Sequence, residues 1–285
     1  MSENNKFVFF GTPEYAVHAL ESLKNSGFLP RLIVCSPDAR VGRKQILTAP
    51  PAKDFAIANN IPVLQPAKID QSAIDEILKY EPQYAVVAAY GKILPANLLD
   101  AVPYGFLNVH PSLLPLYRGP APEIGPILNG DDKTGVTIIL LDPMVDHGPI
   151  LAQHLVHLGG NEFAHDMAIN LFKVGGEMLA DVIPKWLAGE TNSIDQKHDL
   201  ATFTHKTKKL DAKISLTDDA KTLWAKWRAH YPWPGLYFEI EHAGIPMHVK
   251  INEAEFINET FTPTTVTPEG KKPISFTEFQ KNYLH

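Results

Sequence analysis

Three side chains able to act on a carbonyl group lie in the stretch from residue 108 to residue 148. Asn108 and His110 stand two residues apart at the end of an apolar run, and Asp146 follows after one predicted helix and one further predicted strand. Residues two apart face the same side of a strand, so the amide and the imidazole can act together. An amide donor, an imidazole and a carboxylate suit attack on a carbonyl, stabilisation of an oxyanion and proton transfer. We therefore take these three as candidate catalytic residues.

The elements around these residues predict an α/β fold. Apolar, β-branched runs predict strands near 6–10, 32–35, 62–65, 84–89, 106–109, 136–141 and 150–158. Helices are expected in the gaps near 52–59, 71–80, 121–129 and 162–186. This alternation predicts a Rossmann-like, mainly parallel sheet with helices on both faces. Ligands bind beyond the carboxyl ends of such strands, where the three candidate residues fall.

Changes in composition predict the domain organisation. Residues 1–188 are expected to form the catalytic domain, and the polar, lysine-containing stretch 189–208 to be a linker. The remaining residues, 209–285, contain short alternating runs typical of a small β-barrel-like (OB-like) domain.

Bulk properties limit the classes of function. The chain has 285 residues and a net charge of −6, so a nucleic-acid partner would need a local basic patch. The single cysteine, Cys35, fits a reducing cytoplasm, and the polar N-terminus is followed by too short an apolar run for a signal peptide or membrane span. No Cys/His spacing typical of zinc is present, so we expect no metal. We also expect no membrane contact and a monomer.

Two segments after strands are candidate ligand contacts. Gly11-Thr12-Pro13 follows the first strand, with Thr12 a plausible N-cap, but a single glycine does not make a dinucleotide fingerprint. It is either a tight turn or a loop whose backbone lies near a substrate. The loop 90–95 is apolar with a glycine and suits a wall for a flat heteroaromatic ring, although an ordinary turn explains it too.

Two further loops carry notable side chains. Residues 37–51 are predicted to form a long loop that contains Arg40, Arg43 and Lys44, which either is solvated surface or contacts phosphates. Ser112 lacks the Gly-x-Ser-x-Gly elbow of a serine nucleophile, so the Ser112–Pro115 segment is better interpreted as a rigid loop near a ligand.

These motifs together resemble the folate-dependent formyltransferases, and within them the enzymes that formylate methionyl-tRNA. The matching segments are 10–17, 37–43, 88–95, 108–119, 134–137, 146–148, 232–235 and 268–272. The Asn-x-His-Pro-Ser-Leu-Leu-Pro block with a later Asp is typical of the whole superfamily. The Gly-Thr-Pro-Glu start, the basic loop and the Gly-Lys-Lys tail favour the tRNA enzymes, whereas Pro-Trp-Pro-Gly is shared with sugar formyltransferases.

The resemblance implies a cosubstrate, an acceptor and roles for individual residues. The formyl donor would be 10-formyltetrahydrofolate, and the acceptor the methionine α-amine of initiator methionyl-tRNA, used in translation initiation. Asn108 would donate to the oxyanion, His110 would assist there or in proton transfer, and Asp146 would orient His110 and move protons. The implied folate contacts are Tyr90, Gly91, Ile93, Leu94, Ser112, Leu113, Leu114, Pro115 and Asp142. The implied tRNA and substrate contacts are Gly11, Thr12, Pro13, Arg40, Arg43 and Lys44.

The C-terminal domain departs from this family pattern. Family members usually have additional strands between 256 and 268, where a Thr/Pro-rich connector is expected here, so we predict a shortened domain. Residues 201–285 carry 11 Lys/Arg and 10 Asp/Glu, a net charge of +1, where the family's domain is basic.

Three other functions stay open from the sequence. A sugar N-formyltransferase acting on a nucleotide-linked amino sugar is the nearest, although it gives no reason for a basic 37–51 loop. A hydrolase that releases formate would use the same residues, with water in place of the amine. A non-catalytic folate- or tRNA-binding protein would need no proton-transferring group.

Overall fold

The computed structural model describes residues 6–42, 44–242 and 244–284. The chain divides into two compact units. The first comprises the described residues of 1–122, 134–157 and 168–204, and the second those of 123–133, 158–167 and 205–285. The domain boundaries expected from composition stay a prediction.

The described residues before 158 contain nine strands. They are β1 (Phe7–Phe10), β2 (Leu32–Val34), β3 (Ala39–Val41), β4 (Ile46–Thr48), β5 (Val63–Leu64), β6 (Tyr84–Ala88), β7 (Phe106–His110), β8 (Lys133–Leu140) and β9 (Ile150–His157). Seven form one sheet in the order β5-β2-β1-β6-β7-β8-β9, in which the first five are parallel and β8 runs antiparallel to β7. The predicted mainly parallel sheet is therefore confirmed.

The central strands of this sheet are apolar along their whole length. Every residue of β1, β2, β6 and β7 is buried, which is the pattern of strands covered on both faces. Because β7 ends in such a core, the polar side chains of Asn108 and His110 are held in surroundings from which bulk water is largely excluded.

Within the part of the chain that the structure describes, six α-helices accompany these strands. They are α1 (Glu14–Asn25), α2 (Pro51–Ala58), α3 (Gln71–Leu78), α4 (Ala96–Leu99), α5 (Ile124–Asn129) and α6 (Ala164–Leu187). Helix α1 buries Ala16, Ala19, Leu20 and Leu23, whose spacing of three and four residues forms one apolar stripe. The single-turn helix α4 was not predicted, since four residues are too short to show a helical period.

Two local expectations in this region are wrong. Helix α1 begins at Glu14 with Pro13 as its N-cap residue and no side-chain cap, because the Thr12 hydroxyl instead accepts a hydrogen bond from the Ser36 backbone N–H at 3.2 Å. The segment 37–51 is not an irregular loop, since β3 and β4 form an antiparallel hairpin within it.

The second unit contains an antiparallel sheet. Its remaining elements are α7 (Ala220–His230), β10 (Tyr237–His242), β11 (Ile245–Ile257), β12 (Thr260–Pro268), β13 (Ile274–Ser275) and α8 (Phe276–Tyr283). The strands are antiparallel in the order β10-β11-β12-β13. Trp227, Phe238, Val249 and Phe279 are buried between this sheet and its helices.

The expected Thr/Pro-rich connector between 256 and 268 is also wrong. Residues 260–268 form β12, joined to β11 by a tight turn in which Asn258 and Glu259 both have positive φ values, 49° and 58°. Threonine favours strands, and a two-residue turn with positive φ at both positions matches the twist of a hairpin.

Candidate active site

Strand β7 positions two of the three candidate catalytic residues. Asn108 lies beside Val87 of β6 and Ile139 of β8, and His110 beside Thr137 of β8. Their side chains are buried, with 8% and 4% exposure. Val109 between them packs on α6, where a Cβ added to Gly175 would lie 2.3 Å from Val109 Cγ1. Alternation along the strand therefore directs Asn108 and His110 to the face away from α6.

The His110 ring is held on two sides. Its Nε2 lies 2.9 Å from the Tyr117 carbonyl oxygen, and its Nδ1 lies 3.6 Å from Asp146 Oδ1. A carbonyl only accepts hydrogen bonds, so Nε2 carries a hydrogen and donates it. Nδ1 then faces the carboxylate. An unprotonated Nδ1 and a carboxylate both accept hydrogen bonds. The space between His110 Nδ1 and Asp146 Oδ1 therefore suits a proton or the N–H of a donor.

Asp146 is held by its own loop and by a neighbouring one. Its φ is +47°, a left-handed conformation that Asp tolerates better than most residues. Its Oδ2 accepts a hydrogen bond from the Gly119 N–H at 2.7 Å, which leaves Oδ1 directed at His110. Two residues later, a Cβ on Gly148 would lie 1.8 Å from the Leu140 carbonyl oxygen, so only glycine fits there. This close approach fixes the loop against the end of β8.

The Ser112–Pro115 loop is bound to β8 and β9. Ser112 is fully buried and its hydroxyl donates to the Leu116 carbonyl at 2.7 Å. Thr137 donates to the Ser112 carbonyl and accepts from the Leu114 N–H, and Gln153 donates to the Leu114 carbonyl at 2.7 Å. The Ser112 hydroxyl and the Leu114 backbone therefore fix the loop, and the half-buried Leu113 and Pro115 are its more accessible members.

The 90–95 loop divides between core and surface. The Tyr90 ring packs edge-on against Phe10, and burial raises the pKa of its phenol to about 12. Leu94 is also buried, whereas Ile93 is 82% exposed and Gly91 is exposed with a φ of +74°. Of the four residues predicted here as folate contacts, Gly91 and Ile93 thus offer surface to a ligand.

Asp142 is engaged within its own loop. Its Oδ1 accepts from the Met144 N–H at 2.9 Å, and its Oδ2 lies 2.6 Å from His147 Nδ1. The His147 ring stacks on the His198 ring with centroids 3.9 Å apart. This carboxylate orders the loop that carries Asp146.

The residues predicted to contact tRNA or substrate lie in two places. A Cβ on Gly11 would lie within 2.7 Å of Phe9, Ala16 and Ala88 atoms, so the glycine permits close packing of β1 on α1. Thr12 and Pro13 follow it, as described above. On the exposed hairpin, Arg40 donates to the Gln45 carbonyl at 3.0 Å and Lys44 is exposed. Arg43 lies outside the described residues.

Comparison with known proteins decides the family. The formyl transferase model matches residues 5–183, and the model of the formyl transferase C-terminal domain matches residues 206–268. The chain belongs to the formyl transferase family. It is therefore an enzyme, and the candidate site lies within the part that matches the formyl transferase model.

Curated relatives of this formyl transferase are methionyl-tRNA formyltransferases. That of Chloroflexus aurantiacus is 45% identical over 81% of this chain and 75% of its own. That of Roseiflexus castenholzii is 34% identical over 97% of this chain and 95% of its own. The second alignment extends through both units.

Among solved structures, an N-formyltransferase from Helicobacter canadensis, in complex with folinic acid and dTDP-3-aminofucose, has a similar fold. It aligns with a TM-score of 0.62 over 95% of this chain and 98% of its own, at 20% identity. This likeness shows that the fold is shared.

Four residues at the formyl transferase site were missed by sequence reasoning. Tyr117 contributes its carbonyl and Gly119 its N–H, roles that leave no side-chain signature. Arg118, 4% exposed, lay inside the recognised 108–119 motif without an assigned role. Gln196 lay in the polar segment expected to be a linker, and nothing local marks it.

Residues 6–42, 44–242 and 244–284 contain no group of three or more His, Cys, Asp or Glu side chains placed to hold a metal ion. Within the same ranges, no helix combines the length and apolar character needed to span a bilayer.

Proposed function

We propose that this enzyme transfers the formyl group of 10-formyltetrahydrofolate to the α-amine of methionine on initiator tRNA. The observation that carries this is the site at the end of β7, where His110 lies between the Tyr117 carbonyl and Asp146, with Asn108 two residues away on the same strand face. The names of the 34–45% identical relatives support methionyl-tRNA as the acceptor.

The proposed reaction exchanges one C–N bond for another. The amine nitrogen attacks the formyl carbon, a C–N bond to methionine forms, and the bond from the formyl carbon to N10 of the folate breaks. The amine loses a proton and N10 gains one, so the products are formylmethionyl-tRNA and tetrahydrofolate. No redox step is involved.

Each of the three side chains has a task in this scheme. Asn108 donates its amide N–H to the developing oxyanion. One such donor typically stabilises the transition state by about 3 kcal/mol. Asp146 Oδ1 accepts the amine proton in the space beside His110 Nδ1, and His110 assists there in oxyanion stabilisation or proton transfer. The Tyr117 carbonyl keeps the ring oriented by holding Nε2–H.

Surface available beside the site is consistent with a flat apolar ligand. The Ile93 side chain is 82% exposed next to Gly91, and Met144 and Val145 in the Asp146 loop are each 55% exposed. We assign the pterin of the donor to these loops, with Leu113 and Pro115 as further lining. Tyr90, Leu94, Ser112, Leu114 and Asp142 act here by holding the loops in place.

The experiment that tests this function compares acceptors. Purified protein is supplied with 10-formyltetrahydrofolate and, in separate reactions, with initiator methionyl-tRNA, a nucleotide-linked amino sugar, or no acceptor. We expect formylation of methionyl-tRNA alone. Formylation of only the amino sugar would assign a sugar N-formyltransferase, and formate release without either acceptor would assign a hydrolase.

The basic residues near the β3–β4 hairpin give a prediction about tRNA binding. Replacing Arg43 and Lys44 with alanine removes two positive charges, so tRNA binding should weaken and the dependence of log K on log salt should become shallower by about one per lost phosphate contact. KM for tRNA measured across a salt series checks this. The matched control replaces the exposed Lys68 and Lys185, an equal change in charge elsewhere. An unchanged salt slope in the Arg43/Lys44 variant would contradict a contribution of these two residues to tRNA binding.

A further inference from the structure

The side-chain amide of Gln196 uses its full hydrogen-bonding capacity next to the active site. Its Oε1 accepts from Arg118 Nε at 3.1 Å and from Arg118 Nη2 at 2.6 Å. Its Nε2 donates to the Asp146 carbonyl at 2.9 Å and to the Gly148 carbonyl at 2.7 Å. Two acceptor and two donor bonds are the most that a glutamine amide makes. Because the Gln196 side chain is only 5% exposed, water has little access to replace these bonds.

These four bonds join the two loops that hold the His110 ring. Arg118 lies between Tyr117, whose carbonyl accepts from His110 Nε2, and Gly119, whose N–H donates to Asp146 Oδ2. Asp146 lies on the other side, facing His110 Nδ1. Gln196 therefore connects the partner of Nε2 to the partner of Nδ1.

The segment around Gln196 is bound to the same loops at further points. The Tyr117 N–H donates to the Thr202 hydroxyl at 2.8 Å, and Arg118 exchanges backbone hydrogen bonds with Thr202 and Thr204. His198 Nδ1 lies 2.8 Å from Arg118 Nη2 and accepts from it. Residues 196–204 are thus bound at several points to the segment that contains Tyr117 and Arg118.

We propose that Gln196, together with Arg118, is a positioning residue that sets the separation of Asp146 from His110. Asp146 has a positive φ, a conformation that persists when its surroundings hold it. The bond to its carbonyl is one of those constraints. Loss of the Gln196 amide leaves the half-buried Asp146 carbonyl and the buried Gly148 carbonyl without this donor, and the loop can relax away from His110.

The expected loss of kcat rests on the proposed formyl transfer, whereas the expected change in the separation of Asp146 from His110 does not. A displacement of a catalytic group by about 1 Å can lower the rate by about a hundredfold. For Gln196→Met we expect kcat to fall at least about tenfold. KM for donor and acceptor should stay within about twofold, because the buried Gln196 amide is bonded to protein groups and not to substrate.

Two variants and one control test this proposal. Gln196→Met removes all four bonds, and Gln196→Glu keeps an acceptor for Arg118 while removing both donors to the Asp146 loop. Asn59→Ala is the matched control, because it removes an amide-to-carbonyl bond of 2.8 Å to Phe55 that lies outside the site. Circular dichroism and thermal melting identify which variants are folded. If neither Gln196 variant folds, the residue is part of the core and the positioning proposal fails.

NMR of the His110 ring tests the geometric claim without any substrate. In wild-type protein labelled with ¹⁵N-histidine, Nε2 of His110 should carry the hydrogen, because it donates to the Tyr117 carbonyl. In both Gln196 variants the ¹⁵N chemical shifts of the His110 ring, compared at one pH, should differ from those of the wild type, because the carboxylate that lies 3.6 Å from Nδ1 moves away. Asn59→Ala should give the wild-type shifts.

The outcomes separate the two proposals. Unchanged kcat and unchanged His110 ¹⁵N chemical shifts in a folded Gln196→Met would overturn the positioning role. Changed His110 shifts in the Gln196 variants of an enzyme whose wild type does not formylate methionyl-tRNA would support the positioning role while rejecting the proposed acceptor.

Discussion

Replacing Asp146 with asparagine is expected to lower kcat by about 10²–10⁴-fold, the range typical of a lost general acid or base. The amide oxygen can still accept the hydrogen bond that Gly119 donates to Oδ2 at 2.7 Å, so the loop should keep its place. What disappears is the negative charge 3.6 Å from His110 Nδ1 and the ability to accept the amine proton. Steady-state formylation kinetics measure the loss.

Folate binding distinguishes this effect from a general disruption. The dissociation constant of a folate analogue should stay near the wild-type value in Asp146→Asn, because the role assigned to the side chain is in proton transfer. Asp75→Asn is the matched control, since Asp75 is an exposed carboxylate outside the site that accepts a hydrogen bond from Gln71. Wild-type turnover in Asp146→Asn would refute the assigned role.

Replacing Asn108 with alanine is expected to lower kcat by about 10²–10³-fold, as for a lost oxyanion donor. Asn108 lies within β7 with both neighbouring strands paired to it, so the backbone has little freedom to compensate. At 8% exposure the vacated space admits little water to donate in place of the amide. The comparison of kcat with KM checks whether the lost interaction belongs to the transition state.

A second substitution at this position sharpens the test. Asn108→Asp keeps the size of the side chain but presents acceptors to the oxyanion, so it should lose at least as much activity as Asn108→Ala. An Asn108→Asp enzyme more active than Asn108→Ala would contradict a donor role. Asn59→Ala again controls for the loss of an asparagine amide outside the site.

The parts of the fold that were predictable are those with a strong local pattern. The runs that form β1, β6 and β7 are buried on both faces and so are apolar throughout. The position of Asn108 and His110 at a strand end followed directly from this. The β3–β4 hairpin was missed because its strands have three residues each and all are exposed, which gives no alternation.

The parts of the site that were not predictable depend on long-range contacts. The Tyr117 carbonyl and the Gly119 N–H act through the backbone, which every residue has. Gln196 reaches Asp146 across 50 positions of sequence, from a segment without regular structure. Its polar composition is that of a solvated linker, and only the tertiary fold shows that the amide is buried.

The most direct test of the central claim follows the formyl carbon itself. Donor carrying ¹³C in the formyl group is incubated with the protein and initiator methionyl-tRNA, and the amino acid released from the tRNA is analysed by mass spectrometry. The proposed function predicts the labelled carbon on the methionine α-amine, with one tetrahydrofolate formed for each formyl group transferred. Label recovered as free formate, with unmodified methionine on the tRNA, would contradict it.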